Sequence, residues 1–226
     1  MQQAHLEVCL LFFVLSICCH HILVCSFIFC LGGQVMSRIT ILGIDPGLTN
    51  TGYNISIYDT NKGTTKVQQF DLITAINVAK KENKKDYKIY GNIIPLFVYE
   101  RLIDDIITKY QPDYICSEDA FYNPRTPNAF FSLKSCILTI ERVLYRHEKV
   151  LYKIPPKKAK LAIGRATANK EAVQELIQNL PDLSFRKTDI KSINKMTEHE
   201  ADSVAITYAF VKTVLEHQVS DAVTKM

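Results

Sequence analysis

The sequence predicts an α/β protein in which a mixed sheet carries helices on its faces. Three strand-like segments follow one another between residues 39 and 73, separated by turn residues. Beyond residue 90, segments with helical spacing of apolar residues alternate with short apolar runs. The chain has 226 residues, of which 47% are hydrophobic, and this is enough to form the core of one large domain.

Five strands are predicted from runs of β-branched and aromatic residues bounded by turns. They lie at residues 39–45, 52–58, 67–73, 113–118 and 150–154. Four helical segments are predicted from apolar spacing and from proline or glycine boundaries. They lie at residues 90–110, 128–148, 157–180 with a break near Gly164, and 197 to about 216. Residues 80–88 are highly charged, and we expect them to form a solvated loop.

The first 35 residues differ from the rest of the chain. They contain no Lys or Arg, one acid, five of the seven cysteines, and a nearly continuous apolar run from Val8 to Leu31. Two histidines within that run and the absence of flanking positive charge argue against a membrane anchor. We expect residues 1–35 to be upstream sequence and the protein to begin near Met36, with an anchor or signal as the alternative.

The domain of interest is therefore predicted to span residues 36–226. It contains only two cysteines, which do not form a disulfide framework and indicate a reduced, cytoplasmic protein. The net charge of the whole chain is +4, which is compatible with a polyanionic partner but does not identify one.

An acid stands at the end of the first predicted strand, where a charge is costly. Asp45 follows a run of buried-type residues and precedes a Pro-Gly turn. A carboxylate in this position loses hydration unless a cation pairs with it, and hard divalent cations bind carboxylate oxygens. Asp45 is thus a candidate metal ligand.

Further acids have both ordinary and functional interpretations. Glu118 ends a later strand, and its neighbour Asp119 must point to the opposite face of the sheet. Thr197 and Glu200 fit a helix capping box, which explains Glu200 without any catalytic role. His199 and Asp202 are three residues apart on one helix face, and together with Asp45 and Glu118 they suit a nuclease that uses metal ions. His199 could bind metal or transfer protons, and Glu198 is the alternative ligand.

The chain resembles the RuvC family of crossover (Holliday) junction endodeoxyribonucleases, within the RNase H-like superfamily, over roughly residues 38–217. The motif Gly43-Ile-Asp-Pro-Gly-Leu-Thr-Asn-Thr-Gly-Tyr53 is similar to the opening strand and turn of that family. The resemblance implies an RNase H-like fold with a mixed five-stranded sheet flanked by helices. It also implies a catalytic, metal-binding set, which consists of Asp45, Glu118, His199 and Asp202.

The same resemblance implies cofactors and partners. It implies Mg²⁺, with two ions per site and Mn²⁺ as a substitute, a four-way DNA junction as substrate, and a bacterial or phage-infected cell as the setting. Paired nicks require two active sites and hence a homodimer, for which the helix at 128–148 is the candidate interface. No membrane partner is expected unless residues 1–35 are an anchor.

Five residues are predicted to bind DNA. Phe121 matches an aromatic residue that stacks on bases in the family, although it could instead cover the sheet. Lys157 is the best match to the family's basic helix start, and Lys158 and Lys160 are candidate phosphate contacts. Lys170 matches a second lysine only with a changed spacing after Gly164.

Other functions remain open at this stage. A general RNase H-like nuclease acting on RNA or on a hybrid would use the same metal chemistry. The segment from Asp45 to Gly52 also resembles the phosphate loop of actin-like and sugar kinases, although the chain is short for their two domains. A catalytically silent nucleic-acid-binding module is the third alternative, and retention of the acids argues against it.

Overall fold

The computed structural model describes residues 37–91, 93–164, 170–186, 193 and 195–217. The predictions for residues 1–35 lie outside this range. The strands are β1 Arg38–Asp45, β2 Thr51–Asp59, β3 Thr64–Ile73, β4 Tyr114–Glu118, β5 Leu151–Ile154 and β6 Leu183–Phe185. The helices are α1 Ala75–Glu82, α2 Lys84–Tyr90, α3 Ile93–Tyr110, α4 Pro127–Arg146, α5 Pro156–Ala162, α6 Lys170–Gln178 and α7 Glu198–Phe210. A π-helical turn, Val211–Leu215, continues α7.

The strands form one mixed sheet in the order β5-β4-β1-β2-β3-β6. Strands β1, β2 and β3 form the antiparallel meander, and β4 and β5 continue it in parallel with β1. The α/β class is confirmed, but the sheet has six strands rather than the predicted five. The additional strand β6 has only three residues and pairs in parallel with β3. Three residues are too few to show the two-residue alternation of a strand, so the sequence did not indicate β6. This segment becomes a strand because it pairs with the open edge of β3.

The alternating side chains of β1 divide the core between the two faces of the sheet. Leu42 and Ile44 pack in one cluster with residues from α1, α3 and α4. Ile39 and Ile41 point to the opposite face and pack in a second cluster with residues from α5 and α7. This division follows from the two-residue period of a strand, and it places α7 on the same face as the side chain of Asp45.

The charged segment at 80–88 is not the loop that the sequence suggested. It belongs to helices α1 and α2, which meet at Asn83. Ala75 and Ala79 are four residues apart on α1, fully buried, and packed in the same cluster as Val98 and Tyr99 of α3. Burial of this small apolar face stabilises a helix whose other faces are charged.

Several strands end at the same edge of the sheet. Because β1, β3 and β4 run in the same direction, their last residues lie together. These residues are Asp45, Ile73 and Glu118. We call this the site edge, defined by these three residues.

Within the described ranges, no helix combines the length and the apolar character needed to span a bilayer.

Helix α7 lies unusually close to β1 and β2. A Cβ atom at Gly43 would stand 1.9 Å from Thr207 Oγ1 and 2.8 Å from the backbone oxygen of Ser203. The Asn54 amide donates hydrogen bonds to the hydroxyls of Ser203 (3.2 Å) and Thr207 (2.9 Å) in this buried layer. Glycine at position 43 therefore makes room for a hydrogen-bonded contact between helix and sheet.

We expect Gly43→Ala to lower the free energy of unfolding by about 1–3 kcal/mol, because the added methyl group overpacks this layer. Chemical denaturation would measure the loss, with Ser132→Ala on the exposed side of α4 as a control. Thr207→Ala should cost less in the Gly43→Ala background than in the wild type, since it removes the nearest clashing atom. Strictly additive effects of the two substitutions would contradict this account.

Candidate active site

Two strands bring the first pair of acids together. Ile44 of β1 pairs with Ser117 of β4, so Asp45 and Glu118 are the next residues on neighbouring parallel strands. Glu118 shares a strand face with Cys116, whose sulfur lies 3.9 Å from Thr207 Oγ1 on α7. Asp119 consequently points to the other face, and its carboxylate accepts a hydrogen bond from the Ala120 backbone N–H at 2.9 Å. Glu118 is the acid that faces Asp45.

The turn after Asp45 is fixed by a threonine. The Thr51 hydroxyl donates to the carbonyl of Gly47 at 2.5 Å and accepts from the Gly47 N–H at 3.0 Å. Thr51 is fully buried at the start of β2, next to the pair formed by Gly52 and Asp45. These bonds hold the Pro-Gly turn in one position beside the acid.

The start of α7 supplies the second pair of side chains. The capping box is present: Glu200 N–H donates to Thr197 Oγ1 at 3.4 Å, and Thr197 N–H donates to Glu200 Oε2 at 2.6 Å. A Cβ atom at Gly52 would stand 1.9 Å from the backbone oxygen of His199, so glycine allows this helix end to reach the sheet. Helical spacing then directs His199 and Asp202 to one side.

A direct hydrogen bond joins the two pairs. His199 Nδ1 lies 2.7 Å from Asp45 Oδ2, and a carboxylate at this position accepts a hydrogen bond from Nδ1–H. Burial raises the pKa of Asp45, which is only 7% exposed, against the opposing effect of His199. The hydrogen bond from His199 in turn raises the pKa of its imidazole. Because Nδ1 is engaged, Nε2 is the nitrogen left for a metal ion or a proton.

The remaining carboxylates are destabilised by burial and by one another. Burial and the charges of Asp45 and Asp202 raise the pKa of Glu118 to about 8. Burial and the charges of Asp45 and Glu198 raise the pKa of Asp202 to about 6. Such a concentration of negative charge is typical of a cation-binding or catalytic site.

Like His199, Lys160 acts on both of these acids. Its charge lowers the pKa of Glu118 and of Asp202 and so opposes the effect of burial. It is half-buried near the end of α5, whereas Lys157 and Lys158 on the first turns are exposed. The family resemblance favoured Lys157 as the best match. The helical period could have pointed to Lys160, because Lys160 lies next to the buried Ala159 and three residues before the buried Ile163.

The donor set fits a divalent metal ion in its chemistry. Three carboxylates and an imidazole are ligands for Mg²⁺, Mn²⁺ and related ions, and a cation would offset the repulsion that raises the pKa of Glu118. Within the described residues, however, no three His, Cys, Asp or Glu side chains form a ready-made ligand group.

The other predicted DNA-binding residues, Phe121 and Lys170, lie on different segments of the chain. Phe121 is 73% exposed on the segment that follows Glu118, so it does not cover the sheet. Tyr122, also exposed, packs against Phe130 of α4 with ring centroids 5.3 Å apart. Lys170 is the first residue of α6, and its side chain lies outside the described part of the structure.

In metal-free buffer we expect Glu118→Gln to raise the free energy of unfolding at pH 8.5 by about 1–3 kcal/mol. The folded protein holds a proton on Glu118 up to a pKa of about 8, whereas the unfolded chain releases it near 4.5. Wild-type stability should therefore fall as the pH rises between these values, and the variant should lose this part of the slope.

Urea denaturation from pH 5 to 8.5 would measure both slopes, and Asp119→Asn is the matched control on the neighbouring residue. Adding Mg²⁺ should stabilise the wild type more than Glu118→Gln, because the ion binds the ionised carboxylate. Identical pH slopes in the two proteins would show that Glu118 is not destabilised in the way described.

Comparison with known proteins agrees with this geometry. The family model described as "Crossover junction endodeoxyribonuclease RuvC" matches residues 41–210. A RuvC of Alkaliphilus metalliredigens is 33% identical over 145 residues, covering 63% of this chain and 79% of the relative. A RuvC of Campylobacter jejuni is 30% identical over 171 residues, covering 75% of this chain and 94% of the relative.

A solved structure shares the fold. It is titled "T. thermophilus RuvC in complex with Holliday junction substrate", and it superposes with a TM-score of 0.57 at 14% identity. The superposition covers 78% of this chain and 97% of that one. The family model spans β1 to α7 and includes every predicted catalytic residue. The chain belongs to the RuvC family of crossover junction endodeoxyribonucleases.

Proposed function

We propose that this protein is a metal-dependent endonuclease that resolves four-way DNA junctions by paired phosphodiester hydrolysis. The observation that carries the proposal is the convergence of Asp45, Glu118, His199 and Asp202 at the site edge. The family assignment supports the same chemistry and argues against the kinase-like alternative. Recombination and repair are the processes in which such junctions arise.

The acids and His199 would hold the catalytic metal, for which Mg²⁺ is our candidate. Oxygen-rich donor sets favour this hard ion, with Mn²⁺ as a substitute, and the number of carboxylates suits two ions. When bound, such ions activate water and stabilise the leaving oxygen of the phosphodiester. This ligand assignment predicts that each of the four side chains contributes to metal affinity.

His199 is suited to proton transfer or ligation at Nε2. Its hydrogen bond to Asp45 fixes the ring and keeps Nδ1 protonated, as a carboxylate commonly does for a functional histidine. Lys160 is suited to bind the negatively charged phosphate, since it already interacts with Glu118 and Asp202 from the flank of the cluster. Lys157 and Lys158 extend this positive surface along α5.

Phe121 is suited to stack on a base at the open centre of the junction. Its exposure and its position three residues after Glu118 support this role, since the ring is free to meet a base near the cleavage site. The adjacent contact between Tyr122 and Phe130 ties this segment to the start of α4. Stacking does not read sequence, so this contact would serve junction recognition rather than sequence choice.

Dimerisation through α4 is supported by a stripe of exposed apolar residues. Phe131, Leu138 and Tyr145 are 63%, 54% and 84% exposed. Their spacing of seven residues keeps them on one side of the helix, away from the buried Ile140 and Val143. A second copy of the chain would cover this stripe and supply the second active site that paired nicks require.

We expect Asp45→Asn to reduce cleavage of a labelled four-way junction by more than about 100-fold, because a metal ligand is lost. Junction binding should persist, since the phosphate contacts remain. The assay would use the full chain with Mg²⁺ and would compare the junction with linear duplex, RNA–DNA hybrid and single strand.

Asp119→Asn is the control, and it should cut the junction at close to the wild-type rate. Symmetric nicks confined to the junction would support resolution. Cutting of the hybrid, or of every substrate, would instead favour the general RNase H-like nuclease. Near-normal cleavage by Asp45→Asn would remove the central assignment.

We expect Leu138→Glu to weaken the dimer by at least about tenfold, because it places a charge in the middle of an apolar interface. Sedimentation velocity over a concentration series would measure dissociation. Ser132→Glu adds the same charge to α4 outside the stripe and should leave the dimer intact. An unchanged dimer in Leu138→Glu would mean that another surface joins the two copies.

A further inference from the structure

Helices α1 and α2 form a lysine-rich hairpin that the proposed active site does not use. The hairpin spans residues 75–90 and carries five lysines against two acids, Glu82 and Asp86. The lysines are Lys80, Lys81, Lys84, Lys85 and Lys88, and all five are exposed. We call this surface the lysine hairpin.

The lysine hairpin packs against the rest of the protein mainly through α1. Ala75 and Ala79 are fully buried in the core cluster of α3 and α4, and Val78 and Tyr87 pack against the same cluster. Burial of α1 sets the position of the lysines at its end, and α2, which buries no residue, packs through Tyr87. A positioned helix lowers the entropic cost of binding a charged partner.

The positive charge of the hairpin is only partly offset. Glu82 is paired with Arg101 of α3 at 2.6 Å, so it does not neutralise a lysine. Lys80 lies over the ring of Tyr87, 5.5 Å from its centroid. Among the described residues, no ion pair joins Lys81, Lys84, Lys85 or Lys88 to an acid.

The chain path places this charge at the site edge. α1 begins directly after Ile73, which pairs with Thr51, and the adjoining Gly52 pairs with Asp45. Only strand β2 therefore separates the end of β3 from Asp45, a lateral distance of about 10 Å. α3 ends near Thr40 at the opposite edge, where Asp113 N–H donates to the Thr40 carbonyl, so its first turns also lie toward the site edge.

From these observations we infer that the lysine hairpin binds the phosphate backbone of a DNA arm that extends from the junction. The inference rests on the proposed function and adds a second phosphate-binding surface to the one on α5. The two surfaces flank the acids from opposite faces of the sheet, since α5 packs with Ile41 and α1 packs with Leu42. Lysines contact phosphates without reading base sequence, so this surface would add affinity for any arm.

A lipid surface is the competing partner. Ile89, Tyr90, Ile93 and Phe97 are exposed beside the lysines, and basic helices with apolar side chains can bind anionic bilayers. The position at the site edge favours DNA, because a substrate held at Asp45 lies about 10 Å from the end of β3, where this surface begins. The apolar side chains then lie next to the sugars of the backbone.

The test replaces Lys81, Lys84, Lys85 and Lys88 with alanine in the full chain. A matched control replaces four lysines toward the opposite edge, at positions 62, 66, 109 and 149, and changes the net charge equally. A third variant carries arginine at the four hairpin positions. Binding to a four-way junction would be measured by fluorescence anisotropy without divalent metal over a range of salt concentrations, after thermal unfolding has shown that each variant is folded.

We expect the alanine hairpin variant to reduce the slope of log affinity against log salt by up to about 3.6, because each of the four lost phosphate contacts removes about 0.9. The control should keep the wild-type slope, and the arginine variant should restore it.

Equal slopes for the hairpin variant and the control would overturn the inference. So would unchanged DNA binding together with lost binding to phosphatidylserine vesicles, which would assign the hairpin to a membrane surface. Failure of the proposed function would look different: the wild type itself would neither prefer nor cleave the junction.

Discussion

The close packing of α7 against β1 and β2 is the constraint on which the active site depends. Glycines at positions 43 and 52 leave no side chain between helix and sheet, so the start of α7 reaches the end of β1. A buried hydrogen-bond layer around Asn54 holds this arrangement in one register. The contact between His199 and Asp45 follows from it, because a shift of one helical turn would move the histidine by about 5 Å.

The same packing creates an electrostatic conflict. It places several acids in a partly dehydrated space, where burial and mutual repulsion raise the pKa of Glu118 and Asp202. Buried acids that repel one another lower the stability of the folded chain unless a cation is present. His199 and Lys160 supply part of the compensating charge. The acids thus lower the stability of the folded protein in the absence of a cation. Divalent ions and a bound phosphate would raise it, so substrate binding and folding stability are linked at the site edge.

Sequence reasoning identified the parts of the site that depend on local rules. The acid after a buried strand, the capping box at Thr197 and the shared helix face of His199 and Asp202 could all be derived from strand and helix periods. Features that depend on tertiary contacts were missed. The charged segment at 80–88 becomes helical because two alanines pack on α3, and β6 forms because β3 has an open edge. Lys160 was among the predicted phosphate contacts, but its effect on the pKa of Glu118 and Asp202 depends on how burial of Ala159 orients α5.

Around the site edge, the acids and the lysines occupy different positions and serve different purposes. The acids lie at the centre, where the parallel strands end, and lysines lie on either side on α5 and on the α1–α2 hairpin. Catalysis depends on distances within the cluster, which the glycine-lined contact with α7 fixes. Holding a branched substrate depends on the spread of positive charge, which tolerates changes in individual lysines because phosphate contacts are nearly interchangeable. A basic surface can therefore be added without moving the acids, and the lysine hairpin, which packs on α3 and α4 and not on α7, has this arrangement.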